Sequence, residues 1–68
     1  SQSLSDIQEF IVSAFPGVGI SLARPILRKF KTIRNFVNAS EDELKNVEKI
    51  GEVKAKKIKE ISDKEYSF

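Results

Sequence analysis

The chain has 68 residues, which is close to the lower limit at which a single hydrophobic core stabilises a domain. It contains no cysteine and no histidine, which excludes a disulfide, a thiolate metal site and the commonest general base of enzymes. Hydrophobic residues make up 40% of the sequence, but no apolar run approaches the length of a membrane span, so we expect one soluble intracellular domain without membrane contact.

The first predicted helix begins near Ser5 and ends near residue 13 or 14. Ser5 and Gln8 have the spacing of a capping box, which satisfies backbone N–H groups at a helix start. Pro16 ends the helix because a proline disfavours helical angles at the residue before it. Apolar residues recur at helical spacing and predict one buried face, formed by Leu4, Ile7, Phe10, Ile11 and Ala14.

The segment FPGVG, residues 15–19, predicts a tight turn that leads directly into a second helix. Gly17 and Gly19 can adopt backbone angles that other residues avoid, and Val18 between them is expected to point inward as an apolar plug. The outward surface is then bare backbone N–H at the positive end of a helix dipole, which is an anion-binding arrangement. The second helix is expected to end near Phe30.

Pro25 falls inside this second helix, where it stiffens the helix start if it lies near the first turn and kinks the helix otherwise. A short connecting helix is predicted over residues 32–37, with Phe36 in the core rather than available to stack on a base. Ser40 and Glu43 form a second capping-box pattern, which opens a helix that buries Leu44. The acids there are interpreted as residues matched to the helix dipole and not as a metal site, namely Glu41, Asp42 and Glu43.

A second turn repeats the first when the chain is shifted by 32 residues. The shift places Val12 on Leu44, Phe15 on Val47, Gly19 on Gly51, Ala23 on Ala55 and Ile26 on Ile58. Such a repeat predicts two similar supersecondary units that share one core. Lys49 replaces the first glycine, so it either adopts the same backbone angle or alters the turn, and it either adds a phosphate contact or weakens the backbone cradle. A fifth helix is predicted from about Glu52 to Ser62, with Lys54 and Lys57 near its start.

The charges are segregated along the chain, so the net charge of +2 understates its basic character. Residues 24–34 carry five cations and no acid, and residues 49–59 carry five lysines and one acid. Residues 41–48 between them are acidic. Two basic zones, each attached to a turn, indicate either a nucleic-acid surface or simply a solvated helix face.

The segments FPGVGISLARPIL and VEKIGEVKAKKI resemble the two hairpins of a tandem helix-hairpin-helix domain. The resemblance is closest to the C-terminal DNA-binding domain of XPF-type structure-specific endonucleases, including the archaeal helicase–nuclease Hef, and it covers about residues 5–66. The sequence departs from the family pattern at Lys49 and at Pro25. The resemblance implies an all-α fold of five short helices in one tandem domain, with two helix-hairpin-helix units around a pseudo-two-fold axis. The expected parts are a first unit over about 5–30, a connecting helix over about 32–38, a second unit over about 40–62 and an aromatic tail over 63–68.

The same resemblance implies a non-catalytic module that binds double-stranded or branched DNA through phosphates and positions a nuclease or helicase in repair or at stalled forks. The DNA-binding residues that it implies are Gly17, Val18, Gly19, Ser21, Arg24, Lys49, Ile50, Gly51, Val53, Lys54 and Lys57. It also implies a homodimer in which Tyr66 and Phe68 reach the partner, whereas docking of this tail on its own domain is the alternative. No cofactor, metal or small-molecule substrate is expected.

Two other functions are compatible with the same residues. The domain could serve mainly to pair with another such domain, because the second hairpin is degenerate at Lys49. It could also belong to a different repair protein that uses the same tandem unit, such as an excision nuclease or a ligase. The location expected for any of these is the cytoplasm, in association with the nucleoid, in an archaeal cell and the nucleus in a eukaryotic cell.

Overall fold

The computed structural model describes all 68 residues and contains helices only, so the all-α fold class is confirmed. None of these helices has both the length and the apolar character that crossing a membrane requires. Their bounds in chain order are α1 Leu4–Ser13, α2 Gly19–Phe30, α3 Ile33–Asn38, α4 Glu41–Lys45 and α5 Glu52–Asp63.

Helix α1 is capped two residues earlier than the sequence predicted. The capping box joins Ser3 and Asp6: the Ser3 hydroxyl accepts from the Asp6 N–H at 3.1 Å, and the Ser3 N–H donates to the Asp6 carboxylate at 3.3 Å. The prediction of Ser5 with Gln8 is therefore wrong. Both pairs have the required spacing, but a carboxylate at this position also interacts favourably with the positive end of the helix dipole, which an amide does not.

Helix α4 begins with the capping box that the sequence predicted. The Glu43 N–H donates to the Ser40 hydroxyl at 3.1 Å, and the Ser40 N–H donates to the Glu43 carboxylate at 3.0 Å. These two hydrogen bonds hold the pKa of Glu43 below its ordinary value. The bond from the Ser40 backbone has the larger effect, and the one involving the Ser40 side chain the smaller. The short helix thus has a well-defined start despite its five residues.

The repeat seen in the sequence is also present in the hydrogen bonds of the two turns. Between α1 and α2, three N–H···O=C bonds join residues 14 to 11, 15 to 12 and 18 to 15, at 3.3, 3.2 and 3.0 Å. Between α4 and α5, the bonds shifted by 32 residues join 46 to 43, 47 to 44 and 50 to 47, at 3.2, 3.0 and 3.0 Å. The two turns are therefore built by the same bonding pattern.

The buried residues form one cluster of 13 side chains, to which both units contribute. Helix α1 packs on α2 and α4 packs on α5, while α3 contacts both α2 and α5. Ala23 and Ala55 are fully buried at equivalent points, where a small side chain lets two helices approach closely. Phe36 of α3 is also fully buried, with its ring edge-to-face against Phe15 at 5.2 Å, which confirms its predicted place in the core.

Helix α1 does not bury the apolar face that its sequence predicted. Of its residues only Val12 is buried, whereas Leu4 is 81% exposed and Phe10 is 70% exposed. Ile7 and Ile11 are also exposed, and so is Ala14. The reason is that α1 packs mainly on α2, through the side that carries Val12, so the apolar stripe beside that contact is left without a partner. We call Leu4, Ile7, Phe10 and Ile11 the α1 apolar face.

Two further sequence predictions are answered by α2 and by the tail. Pro25 is the seventh residue of α2, so it lies beyond the first turn, and α2 continues through it as one helix.

After α5, the Tyr66 and Phe68 rings stack on each other at 5.7 Å, and both side chains remain exposed. The tail therefore does not dock in the core of its own domain.

Candidate nucleic-acid interface

The first turn has the glycine geometry that its sequence predicted. Gly17 has a φ of 78° and Gly19 a φ of 63°, both in the left-handed region that side chains disfavour. Val18 between them is 4% exposed, and its equivalent in the second turn, Ile50, is 3% exposed. The N–H groups of both residues already donate to carbonyls within the turns. Val18 and Ile50 are therefore buried plugs, and neither their side chains nor their N–H groups are available to a ligand.

The helices that follow the two turns begin without a side-chain cap. Helices α1, α3 and α4 are each capped by a serine or threonine hydroxyl, whereas α2 and α5 have no such bond. The N–H groups of residues 19–21 and of residues 52–54 consequently donate to no acceptor in the protein. No atom lies within 4 Å of the point where a Cβ would stand on Gly19 or Gly51. Each turn thus presents unpaired donors on an open surface at a helix N-terminus, which suits an anion.

Lys49 adopts the backbone angle of the glycine that it replaces. Its φ is 72°, close to the 78° of Gly17 at the equivalent position. The two turns differ instead at the later glycine, because Gly51 has a φ of −96° and Gly19 a φ of 63°. The backbone angle of Gly51 is open to any residue, so its lack of a side chain matters for access to the surface and not for the turn.

The cations at this surface differ in how far they are already paired within the protein. Arg24 bonds to Glu9 of α1 at 3.1 Å, and Lys57 bonds to Glu60 at 2.7 Å. The hydrogen bond from Lys57, together with its charge, lowers the pKa of Glu60. Lys49 takes part in no ion pair and is exposed, so it is the cation most readily available to an incoming anion.

The structure brings the two turns together across one groove. The groove is lined by Gly17, Val18, Ser21, Leu22 and Pro25 from the first unit and by Glu48, Lys49 and Lys54 from the second. Ser21 and its equivalent Val53 are exposed beside the turns, and the Val53 side chain is 82% exposed. The expected DNA-binding residues therefore lie around the two turns and the groove between them, with Arg24 and Lys57 on the following helices.

One exposed surface, the α1 apolar face, was not predicted from the sequence. Its residues were assigned to the core because helical spacing identifies an apolar stripe but not what covers it. One signal was present: the stripe and the buried Val12 together are wider than the contact that one neighbouring helix can cover. Tyr66 and Phe68, expected at a dimer interface, are exposed as well.

Comparisons with known proteins agree with this geometry. The chain is 46% identical over 66 residues to a Methanocaldococcus jannaschii protein described as an ATP-dependent RNA helicase, covering 97% of this chain and 8% of that protein. It is 56% identical over 43 residues to the 3′-flap repair endonuclease Xpf of Saccharolobus solfataricus, covering 63% of this chain and 18% of the endonuclease.

A solved structure of XPF from Aeropyrum pernix in complex with DNA superimposes with a TM-score of 0.89 at 37% identity, over 96% of this chain and 32% of the XPF chain. The resemblance to XPF-type proteins is thereby confirmed, and the chain spans only a minor part of each of these relatives. The model of the helix-hairpin-helix motif family matches residues 10–67, so this chain belongs to the helix-hairpin-helix family.

Proposed function

We propose that the chain is a non-catalytic module that binds the DNA backbone and positions the nuclease or helicase part of a larger repair protein on branched DNA. The observation that carries this proposal is the pair of uncapped helix N-termini, each reached through a turn with unpaired N–H groups on an open surface. The DNA-bound A. pernix XPF and the flap endonuclease relative support it. The small share of each relative that the chain covers supports a part within a larger enzyme.

The binding surface proposed here uses backbone donors for phosphates and side chains for the surrounding charge. Gly17, Gly19 and Ser21 belong to the first phosphate site, and Gly51 and Val53 to the second. Val18 and Ile50 hold the turns in shape from inside, since both are buried. The basic side chains around these sites are Arg24, Lys49, Lys54 and Lys57. Amides and lysines contact phosphates and not base edges, so this binding is independent of base sequence.

A fluorescence titration of labelled duplexes tests the proposal. We expect similar affinities for duplexes of unrelated sequence, and a logarithm of affinity that falls with the logarithm of salt by about 0.9 for each phosphate engaged. A preference on the order of a hundredfold for one sequence, which is the size of a specific base readout, would contradict it.

We further propose that the domain forms a homodimer through the α1 apolar face and the aromatic tail. Full burial of a large apolar side chain is worth about 1.5–3 kcal/mol, and this gain is left unused at Leu4, Phe10, Tyr66 and Phe68. A two-fold dimer uses the same patch on both subunits, so one chain can supply all of these contacts. Such a dimer sets two pairs of hairpins on one DNA. The same exposed surface favours the rival function, a pairing module that makes little use of DNA.

Sedimentation of two variants tests the dimer. Phe10→Gln and removal of residues 65–68 are each expected to shift the protein toward the monomer and to weaken DNA binding at the same time. Val53→Gln is the control for the sedimentation shift alone, because Val53 is 82% exposed but lies on the hairpin side, in the proposed phosphate site. A parent protein that is monomeric at high concentration, or variants that remain as dimeric as the parent, would refute the dimer. Dimer loss with unchanged DNA binding would show that DNA binding does not need the dimer, whereas a dimeric parent that does not bind DNA would favour the pairing module instead.

The extent and setting of the module follow from the same proposal. The whole chain is one tandem domain, with units over about 5–30 and 40–62, a connecting helix over about 32–38 and a tail over 63–68. Within an archaeal cell it would act in the cytoplasm with the nucleoid, and within a eukaryotic cell in the nucleus. The tandem unit of an excision nuclease or a ligase is the alternative parent protein.

A further inference from the structure

Lys54 stands apart from the other lysines of the hairpin surface. It is half-buried, whereas Lys49 and Lys57 are exposed. Its aliphatic chain lies along Gly17 of the opposite unit, since a Cβ built on Gly17 would come 3.3 Å from both Cγ and Cε of Lys54. Its Nζ donates to the carbonyl of Lys49 at 3.3 Å. The side chain therefore starts on α5, passes along the first hairpin and ends on the second.

The internal repeat explains why this contact forms at the junction of the two units. A shift of 32 residues relates Lys54 to Leu22 and Gly17 to Lys49, and all four residues line the groove between the hairpins. The residue that follows each hairpin by one helical turn thus lies beside the opposite hairpin. On the first unit's side of the groove this residue is the buried, apolar Leu22. On the second unit's side it is Lys54, which has a longer side chain.

We infer that Lys54 is a positioning residue, which fixes the separation of the two hairpins and so the spacing of the two phosphate sites. This inference rests on the proposed DNA-binding function and gives Lys54 a role other than direct contact. Its methylene groups act as the spacer, because they lie against a glycine that leaves room for them. Its ammonium group is bonded to the protein backbone, which anchors the end of the spacer.

A fixed spacing favours duplex over single-stranded DNA. A duplex presents its phosphates at set positions, so a preorganised pair of sites engages both without an ordering cost. A single strand is flexible and can adjust to two sites at any spacing. Lys54 is therefore a determinant of the preference for duplex, in addition to any effect on overall affinity.

The experiment compares Lys54→Ala and Lys54→Met on a duplex and on a single strand of equal length, each over a range of salt. We expect Lys54→Ala to bind the duplex with an affinity lower by about fivefold or more. Its affinity for the single strand should fall by less than about twofold, as loss of preorganisation requires. Lys54→Met keeps the aliphatic spacer and loses only the anchoring hydrogen bond, so it should retain most of the duplex preference and the salt dependence of the parent. Lys56→Ala removes another α5 lysine, one paired with Glu52 and outside the groove, and serves as the control for loss of charge.

Two results would overturn the inference. If Lys54→Met reduces the salt slope by about 0.9, or if the alanine variant loses equally on both DNAs, then Lys54 is a phosphate contact. If neither variant changes binding while the parent binds DNA, Lys54 has no role there and only this inference fails. If the parent binds neither DNA, the proposed function itself fails. Circular dichroism checks the fold, and should Lys54→Ala unfold, Lys54→Ser, which also lacks the aliphatic spacer, takes its place in the same comparison.

Discussion

Two lysines in this domain occupy backbone positions that suit glycine, and replacement with glycine should stabilise the fold at Lys49 and be close to neutral at Lys31. Lys49 has a φ of 72° and Lys31 a φ of 73°. An L-residue in the left-handed region costs about 1–2 kcal/mol, and glycine avoids this cost but loses about 0.5–1 kcal/mol more chain entropy on folding. These two backbone effects together give a gain of about 0.5–1 kcal/mol at either position, before the effect of the lost charge is counted. For a domain of this size, that corresponds to a rise in Tm of about 2–8 °C.

The helix dipole predicts an order between the two variants. Lys49 lies just before the N-terminus of α5, where loss of a cation is favourable, whereas Lys31 caps the C-terminus of α2, where a cation contributes about 0.3–1 kcal/mol. Lys49→Gly should therefore raise the Tm more than Lys31→Gly. Thermal unfolding followed by circular dichroism measures both. The reasoning about strain is refuted if Lys49→Gly lowers the Tm, or if Lys31→Gly proves the more stable of the two. On DNA, only Lys49→Gly should reduce the salt slope, by about 0.9.

Three further variants test two positions of the binding surface and the cap of α4. Gly51→Val places a side chain in open space at an unstrained angle, so stability should change by less than about 1 kcal/mol, while DNA affinity measured by titration should fall about tenfold as bonds to phosphate are lost. Unchanged affinity would remove Gly51 from the site. Glu60→Gln releases Lys57 and should raise DNA affinity about two- to fivefold in the same assay, and a decrease would show that the ion pair supports binding.

Glu43→Gln completes this set, because the folded-state pKa of Glu43 lies below its ordinary value of 4.5. Because the carboxyl pKa is lowered in the folded state, the ionised group stabilises the fold at any pH above that ordinary value. This stabilisation is lost as the pH falls through the lowered pKa. Denaturant unfolding should therefore find the parent more stable than Glu43→Gln at neutral pH, with the difference narrowing in acid. A difference that is the same at pH 7 and pH 2 would exclude this source of stability.

The internal repeat is what made most of the fold predictable. Ala23 and Ala55 are constrained by close helix packing, and each turn is constrained by its buried apolar plug. Equivalent residues therefore recur at a fixed spacing and can be recognised without a structure. The start of α4 was predictable for a similar reason, since the capping box is a local pattern of three residues' spacing. The same pattern misled at α1, where two serines had suitable partners and the helix dipole favours the Asp6 carboxylate over the Gln8 amide.

The α1 apolar face and the role of Lys54 depend on tertiary relations that no local pattern contains. Helical periodicity identified the apolar residues of α1 but could not distinguish burial in the domain from burial against another molecule. In the same way, the position of Lys54 suggested a phosphate contact, and only the approach of the opposite hairpin shows its chain lying along Gly17. For Lys49, likewise, the sequence left the backbone conformation open. The hydrogen bonds of the turn select the left-handed one.

The central claim is that the unpaired backbone N–H groups at the two hairpins bind DNA phosphates, and amide NMR tests it most directly. A titration of the ¹⁵N-labelled domain with a short duplex reports each amide separately. We expect the signals of residues 19–21 and 52–54 to shift strongly, whereas the bonded amide of Ala39 should not move. Shifts that appear elsewhere while the hairpin signals stay unchanged at saturating DNA would contradict the claim.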